Sequence, residues 1–509
     1  MMDFTPLMWR WANWRSAKMD RQDPAKVQER HLLSLVGRAR ATKFGRDHDF
    51  NGARSVVEFQ ARVPLRRYED FWDTYWCEPF PVLKDISWPG TIPYFAVTSG
   101  TTTGRTKYIP CSKEMIAANS LASADMLGAH TRYRPKSRVL GGKSFMLGGS
   151  TELIEEAPGV FSGDLSGIMA ANVPGWFRGR SFPPRELALL ADWEEKVARL
   201  AEACTDEDIR LLAGTPSWLL IFIEALAAQK GVAPNLATLF PNLEVLVHGG
   251  VDFAPYRRRF TDLLAGSHAE LREVYPASEG FIASADRGDG EGLRLNLNHG
   301  LFYEFVPVEE LDSETPTRHW IADAEPGVNY ALVLSSCAGL WAYVLGDTVE
   351  LLAGDTPRVK VTGRTSYMLS AFGEHLIASE VEEAVGAAAG EIGASVSDWS
   401  VGPLFPETPG ELGGHLYVVE FAGGGASEAQ VAAFAARLDR DLSATNEDYA
   451  AHRAEGFGLK PPEVLPVPPG TFASWMKSRG QLGGQHKVPR IIMDEDLFAN
   501  LRAFVVGRP

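Results

Sequence analysis

A chain of 509 residues is longer than one hydrophobic core organises, so two or more domains are expected. Hydrophobic residues at 45% and charged residues at 23% are ordinary for a soluble globular protein, and a net charge of -15 with no long Lys/Arg run argues against a nucleic-acid partner. Cys77, Cys111, Cys204 and Cys337 form no C-x-x-C pair, which argues against a zinc site or a secreted disulfide scaffold and fits a reducing cytoplasm.

The N-terminal segment carries Asp3, Arg10 and Arg15 among its apolar residues and lacks the uninterrupted core of a signal peptide. Trp9, Trp11 and Trp14 read as a helix packed on the body of the protein in preference to a membrane surface. No membrane span is expected, because the apolar run Leu219–Ile223 meets Glu224 long before bilayer length. Asp23 to Arg40 is helical in pattern, with Leu32, Leu33, Leu35 and Val36 on one side. A short helical patch around Tyr68 to Trp72 follows.

Tyr94 to Val97 reads as a strand leading into Thr98-Ser99-Gly100-Thr101-Thr102-Thr103-Gly104-Arg105-Thr106-Lys107, and a helix can begin after Ser112. Small hydroxyl-bearing residues and glycines between regular elements can wrap an anion with side-chain and backbone donors, and Lys107 adds a positive charge. The same composition also suits a plain turn. It is not a Walker A loop, whose G-x-x-x-x-G-K-[ST] spacing is absent. Further on, Ser144 to Gly148 reads as a strand and Glu186 to Ala203 as one amphipathic helix. Leu211 to Pro216 ends a strand, with Ser217 capping the next helix, and Leu243 to His248 is a buried strand before Gly249-Gly250. This alternation predicts an α/β domain with mostly parallel sheets over residues 1–368. The Gly/Pro-broken elements that follow predict a smaller α+β domain over 369–509, after the strand and turn at Val359 to Arg364, and the family resemblance described next implies that this domain is mobile.

The loop ending in Lys107 resembles the phosphate-binding motif of the adenylate-forming enzymes, and its flanks from Phe95 to Pro110 resemble the acyl-acid amido synthetases of the auxin-responsive promoter family. Three further stretches in the right order agree: Tyr275-Pro276-Ala277-Ser278-Glu279, Gly339 to Asp347, and Gln485-His486-Lys487-Val488-Pro489-Arg490. Arg62 to Leu65 and Phe302 to Pro307 are also similar to the family. The resemblance implies that Thr98 to Gly104 and Lys107 bind ATP phosphates. It places Tyr275, Ala277 and Ser278 along the nucleotide, with the Tyr275 ring near the adenine, and makes Glu279 a Mg2+ ligand. Asp347 would accept the ribose hydroxyls and Arg364 would contact ribose or phosphates. Lys487 becomes the mobile cation of adenylation, and Trp218, His248, Gly249 and Gly250 fall where the family builds its acyl pocket. The chain departs from the family's two arginines with Ala342 and Val344, which puts the usual substrate set in question more than the fold.

The resulting expectation is a ligase using ATP and Mg2+, with Lys487, Lys107 and Glu279 serving the chemical step. A carboxylic acid would be activated as its acyl-adenylate and transferred to an amine, such as an amino acid. A coenzyme A thioester product, or a nucleotide binder that has lost turnover, are the alternatives. Nothing in the sequence demands an oligomer, so a monomer is expected.

Overall fold

The computed structural model describes residues 2–99, 106–148, 152–173, 175–190, 193–250, 253, 256–311, 313–365, 368–369, 371, 376–405, 412–423, 425–446, 449–450, 453, 459–481 and 487–507. The chain divides into two compact units: Met1–Val251 with Leu264–Val361, and Asp252–Leu263 with Thr362–Pro509. Among the described residues no helix is long and apolar enough to cross a membrane.

The first unit contains most of a twelve-stranded mixed sheet. Its spatial order is His319–Trp320, Leu301–Pro307, Asn329–Ser336, Tyr343–Leu352, Arg358–Arg364, Leu293–Leu295, Gly280–Ser284, Glu270–Ala277, Val245–Gly249, Ile209–Gly214, Lys143–Leu147 and Ser181–Phe182. The parallel order expected from the alternation of helix and strand holds at one end, from Glu270–Ala277 to Ser181–Phe182. Antiparallel pairing joins Glu270–Ala277 to Gly280–Ser284, that strand to Leu293–Leu295 and on to Arg358–Arg364, and Tyr343–Leu352 through Asn329–Ser336 to Leu301–Pro307. Glu270–Ala277 and Gly280–Ser284 are joined by a two-residue turn, too short for the crossover helix that a parallel pair needs, whereas Leu293–Leu295 meets Arg358–Arg364 across a long stretch of chain. A second, four-stranded sheet holds the hairpin Tyr94–Ser99 and Thr106–Cys111, with Val160–Gly163 parallel to the first of these.

Local chemistry sets the helix boundaries. The helix Lys113–Tyr133 starts where the Ser112 hydroxyl accepts from the Met115 N–H, and that hydroxyl donates to the Cys337 carbonyl at 2.6 Å. Two expectations need correction. Helix Pro216–Lys230 is preceded by Thr215 at its N-cap, because Pro216 with its fixed φ takes the first helical position and moves the start ahead of Ser217. The single helix over Glu186 to Ala203 is instead two, Arg185–Ala188 and Trp193–Cys204. The Ala188 carbonyl, which a continuous helix would use internally, accepts from the buried Lys196 Nζ at 2.9 Å.

The core of this unit packs N-terminal helices against the antiparallel half of the sheet. Trp341 is its centre, with its ring 4.8 Å from Phe50 and 6.2 to 6.3 Å from Phe44, Phe59 and Trp88, and its indole N–H on the Ser87 carbonyl at 3.0 Å. A polar clamp ties two other stretches together. Arg318 donates twice to the fully buried Glu304, at 2.9 and 3.0 Å, and also donates to the carbonyls of Gln60 and Val63. The Gln60 amide completes the carboxylate at 2.9 Å.

In the second unit, Val396–Leu404 pairs antiparallel with Gly414–Phe421, which pairs parallel with Glu463–Val467. Alternation along the central strand serves two cores. Tyr417, Val419 and Phe421 face helices Ala378–Glu391 and Glu428–Thr445, while Leu416 and Val418 face Thr471–Ser478 and Glu495–Val506.

Removing the cation of the Glu304 clamp leaves a buried carboxylate uncompensated. Arg318→Met is expected to lower the stability of the first unit by about 3 kcal/mol, read as an earlier midpoint in chemical denaturation. An unchanged midpoint would mean that Glu304 does not depend on Arg318.

Candidate functional site

Three of the parallel strands end in register: Leu147 lies beside Gly214, Gly214 beside His248, and His248 beside Glu273. Ligands of open α/β sheets bind beyond such carboxyl ends. His248 is buried at this rim, and Trp218 is half-buried in the first turn of the helix that follows Thr215. Gly249 is fixed by a close approach, since a Cβ there would lie 2.2 Å from the Val274 carbonyl oxygen. Gly250, exposed with φ of +81°, turns the chain away from the strand. The acyl-pocket candidates and Tyr275 therefore share one edge of the sheet.

Tyr275 lies near the end of its strand, which finishes at Ala277, and a two-residue hairpin, Ser278-Glu279, then closes with Gly280 opposite Ala277. Ala277 and Ser278 are half-buried, and Glu279 is buried. Asp347 comes from a strand that is irregular at this point. The chain takes four residues, from Val344 to Thr348, to cover what its partner covers in two, from Val333 to Ala331. Gly346, at φ +91°, supplies the left-handed step of this bulge. Asp347 is buried, and one of its oxygens, Oδ2, accepts from the Tyr275 hydroxyl at 2.5 Å. Ala342 and Val344, where the family's arginines are absent, are both buried as well. Ala342 has φ of +46°, donates its N–H to Ser335 Oγ at 2.9 Å and accepts from the Arg66 N–H at 3.0 Å.

Tyr343 opens the same strand. Burial, followed by the charge and hydrogen bonding of the adjacent Glu279, pushes its phenol well above the ordinary range. Glu69 and Tyr68 are near enough to act in the same direction. Those two residues also flank Lys107, whose Nζ lies 3.8 Å from Glu69 Oε1 and 5.3 Å from the centre of the Tyr68 ring. The Tyr68 hydroxyl accepts from the Tyr108 N–H at 2.9 Å, and burial raises its pKa to about 12. Thr98 and Ser99 belong to the strand of the hairpin, with Thr98 opposite Lys107 and Ser99 opposite Thr106. Gly100, Thr101, Thr102, Thr103 and Gly104 lie outside the described residues.

The first unit thus brings together Lys107, Glu279, Tyr275 and Asp347 with Tyr68, Glu69 and Tyr343. The last three were not selected from the sequence. A usable signal did exist for Tyr343, because Tyr343 to Asp347 repeats the Tyr-x-x-x-acid spacing of Tyr275 to Glu279.

Arg364 and Lys487 belong to the second unit. Arg364, half-buried, ends its strand, and Lys487 is exposed. The chain beyond Lys487 is firmly held. Ser400 Oγ donates to the Pro489 carbonyl at 2.6 Å, and the Val401 N–H donates to the Arg490 carbonyl at 2.7 Å. The Arg490 guanidinium pairs with Asp398, donates to the Trp399 carbonyl at 3.0 Å and to the Tyr256 hydroxyl at 3.3 Å, and lies 5.2 Å from the centre of the Trp399 ring. Burial works against its charge, but the Asp398 carboxylate outweighs that and raises its pKa.

Family models match three parts of the chain: the GH3 family N-terminal domain over residues 15–159 and 151–269, the central domain over 295–364, and the C-terminal domain over 379–496. The indole-3-acetic acid-amido synthetase GH3.8 of Oryza sativa subsp. indica is 27% identical, over 92% of this chain and 88% of its own. Among solved structures, the GH3.15 acyl acid amido synthetase is similar with a TM-score of 0.77 and 17% identity, covering 96% of this chain and 95% of its own. A 2-hydroxyisobutyryl-CoA ligase in the postadenylation state is similar with a TM-score of 0.63 and 16% identity, covering 95% and 92%. At these identities the two structures share the fold.

The Arg490 anchor makes a signed pH prediction. Burial raises the Asp398 pKa above its usual value even with Arg490 present, so Arg490→Met raises it further. A carboxyl whose folded pKa exceeds its unfolded pKa stabilises the fold at low pH and loses that stabilisation as pH rises through the folded value. Arg490→Met is therefore expected to cost more melting temperature at pH 8 than at pH 5. An equal loss at both would show that Asp398 does not depend on the guanidinium.

Proposed function

The chain belongs to the GH3 family, and from that membership we propose that it activates a carboxylic acid with ATP and transfers the acyl group to an amine, with an amino acid as acceptor. The observation that carries this reading is the meeting of Tyr275 and Glu279, from one motif, with Asp347, from another, and with Lys107 beside the same cluster. A carboxylate is a poor electrophile. When its oxygen attacks the α-phosphorus of ATP, pyrophosphate leaves and AMP becomes a good leaving group on the acyl carbon. The amine then attacks that carbon, expels AMP and forms the amide.

The protein contributes position and charge. Residues 98–104 donate to the phosphates, with Lys107 alongside. Tyr275, Ala277 and Ser278 line the nucleotide, Asp347 accepts from the ribose, and Arg364 contacts ribose or phosphates. Trp218, His248, Gly249 and Gly250 border the acid. A Mg2+ ion would reduce repulsion among the phosphates, and the residues fit it: Glu279 offers a hard oxygen donor, and Mg2+ bound between substrate phosphates and water needs only one or two carboxylates. In this reading residues 1–368 hold ATP and the acid, and residues 369–509 move between half-reactions and bring Lys487 to the α-phosphate. The glutamate at position 69 tempers Lys107, which favours Lys487 as the principal cation of the first step.

Pyrophosphate release from Mg·ATP should depend on an added carboxylic acid, across a panel of aryl and alkyl acids. Mass spectrometry should then find an acyl amide when amino acids are supplied, and no thioester with coenzyme A. Lys487→Ala should lower acid-dependent release by about 10²-fold. Release that ignores the acid, or a thioester product, would overturn this function.

A further inference from the structure

Two ion pairs in the first unit differ in how firmly they are made. Arg318 donates to Glu304 at 2.9 and 3.0 Å, and that carboxylate is fully buried. Lys107 Nζ stands 3.8 Å from Glu69 Oε1, outside hydrogen-bond reach, and the Glu69 side chain is 46% exposed. Water solvates such a carboxylate whether or not the lysine is there, so the pair costs little to part. The lysine is more sheltered, at 18% exposure, and its charge lies 5.3 Å from the centre of the Tyr68 ring. That ring is itself fixed. Tyr68 is buried, its hydroxyl accepts from the Tyr108 N–H at 2.9 Å, and its ring stacks on Trp72 at 5.9 Å. Tyr68 and Glu69 are consecutive in one helical turn, Tyr68–Phe71, so ring and carboxylate form a single cradle for the lysine.

We propose that Glu69 is a positioning residue that competes with phosphate for Lys107, so that the lysine passes to ATP on binding and returns when pyrophosphate leaves. This rests on the adenylation reading above. The Lys107 backbone is held in the hairpin opposite Thr98, but its side chain is a flexible four-carbon stem with a compact charge. It can therefore exchange one anion for another without a backbone movement. Phosphate affinity is then a difference between two contacts, and the carboxylate weakens substrate and product alike. A site that held pyrophosphate with the lysine's whole charge would release it slowly, and product release limits many enzymes. The Tyr68 ring gives the returning amine a defined resting place.

The test is a titration of the full chain with ATP, pyrophosphate and adenosine in the presence of Mg2+. Glu69→Gln should tighten ATP and pyrophosphate by about threefold each, the scale of a half-exposed ion pair, and leave adenosine unchanged. In a Lys107→Met background the same substitution should do nothing, because the carboxylate acts through the amine. Glu69→Asp keeps the charge but withdraws it by one methylene, and should tighten ATP as Glu69→Gln does. Equal tightening with and without Lys107 would mean plain repulsion between Glu69 and the phosphates, and the proposal fails. It fails too if Glu69→Gln weakens ATP, changes nothing or shifts adenosine equally. Should Lys107→Met bind too weakly to measure, Glu69→Asp decides, since plain repulsion would leave it like wild type. Because these are binding readouts, the two readings separate. The predicted pattern without acid-dependent pyrophosphate release supports the competition and sinks adenylation. Release with unaltered affinities in Glu69→Gln does the reverse.

Discussion

The strand Tyr343–Leu352 carries two more residues between Val344 and Thr348 than the strand it faces can match, and much of the site depends on how that excess is absorbed. A regular ladder has no place for unmatched residues, so the backbone must buckle, and Gly346 takes the left-handed step that most residues resist. Just upstream, Trp341 is locked among Phe44, Phe50, Phe59 and Trp88, and Ala342 bonds to both Arg66 and Ser335. The strand therefore cannot relieve its excess by sliding. The distortion stays local, and Asp347 is presented beside Tyr275.

The mixed sheet divides the work by strand direction. Its parallel strands end together at Leu147, Gly214 and His248, a rim where buried Leu147 and His248 flank the half-buried Gly214. Its antiparallel strands contribute the buried Asp347 carboxylate and Tyr343 phenol. Glu270–Ala277 belongs to both, pairing parallel on one side and antiparallel on the other, and Tyr275 lies near its end. A residue at that seam can touch both kinds of chemistry.

What was legible in the sequence was local. The Ser112 cap, the strand ending at His248 and the order of the motifs depend on neighbours a few residues away. Where the local pattern misled, a specific contact intervened: Pro216 took the helix start from Ser217, and Lys196 satisfied Ala188 where the helix divides. The antiparallel half of the sheet, and the neighbours of Lys107 and Glu279, come from pairings across many residues that no periodicity reports. Glu69 and Tyr68 had the appearance of an ordinary helical patch because nothing in their own stretch points to Lys107, which follows after a turn, a strand and a loop.

Tyr256 adds a constraint on the chain as a whole. It stands in the middle of the sequence, yet its hydroxyl accepts from Arg490, and the short helix Arg257–Leu263 groups with the C-terminal unit. That unit is therefore stitched from two separate lengths of polypeptide. A fragment beginning at residue 362 would lack the hydroxyl that accepts from Arg490. On a ribosome, the segment around Tyr256 emerges more than two hundred residues before Arg490, its partner. Exchanging C-terminal halves between relatives at the apparent boundary would separate these two residues, so the unit is best inherited or engineered with its distant piece included.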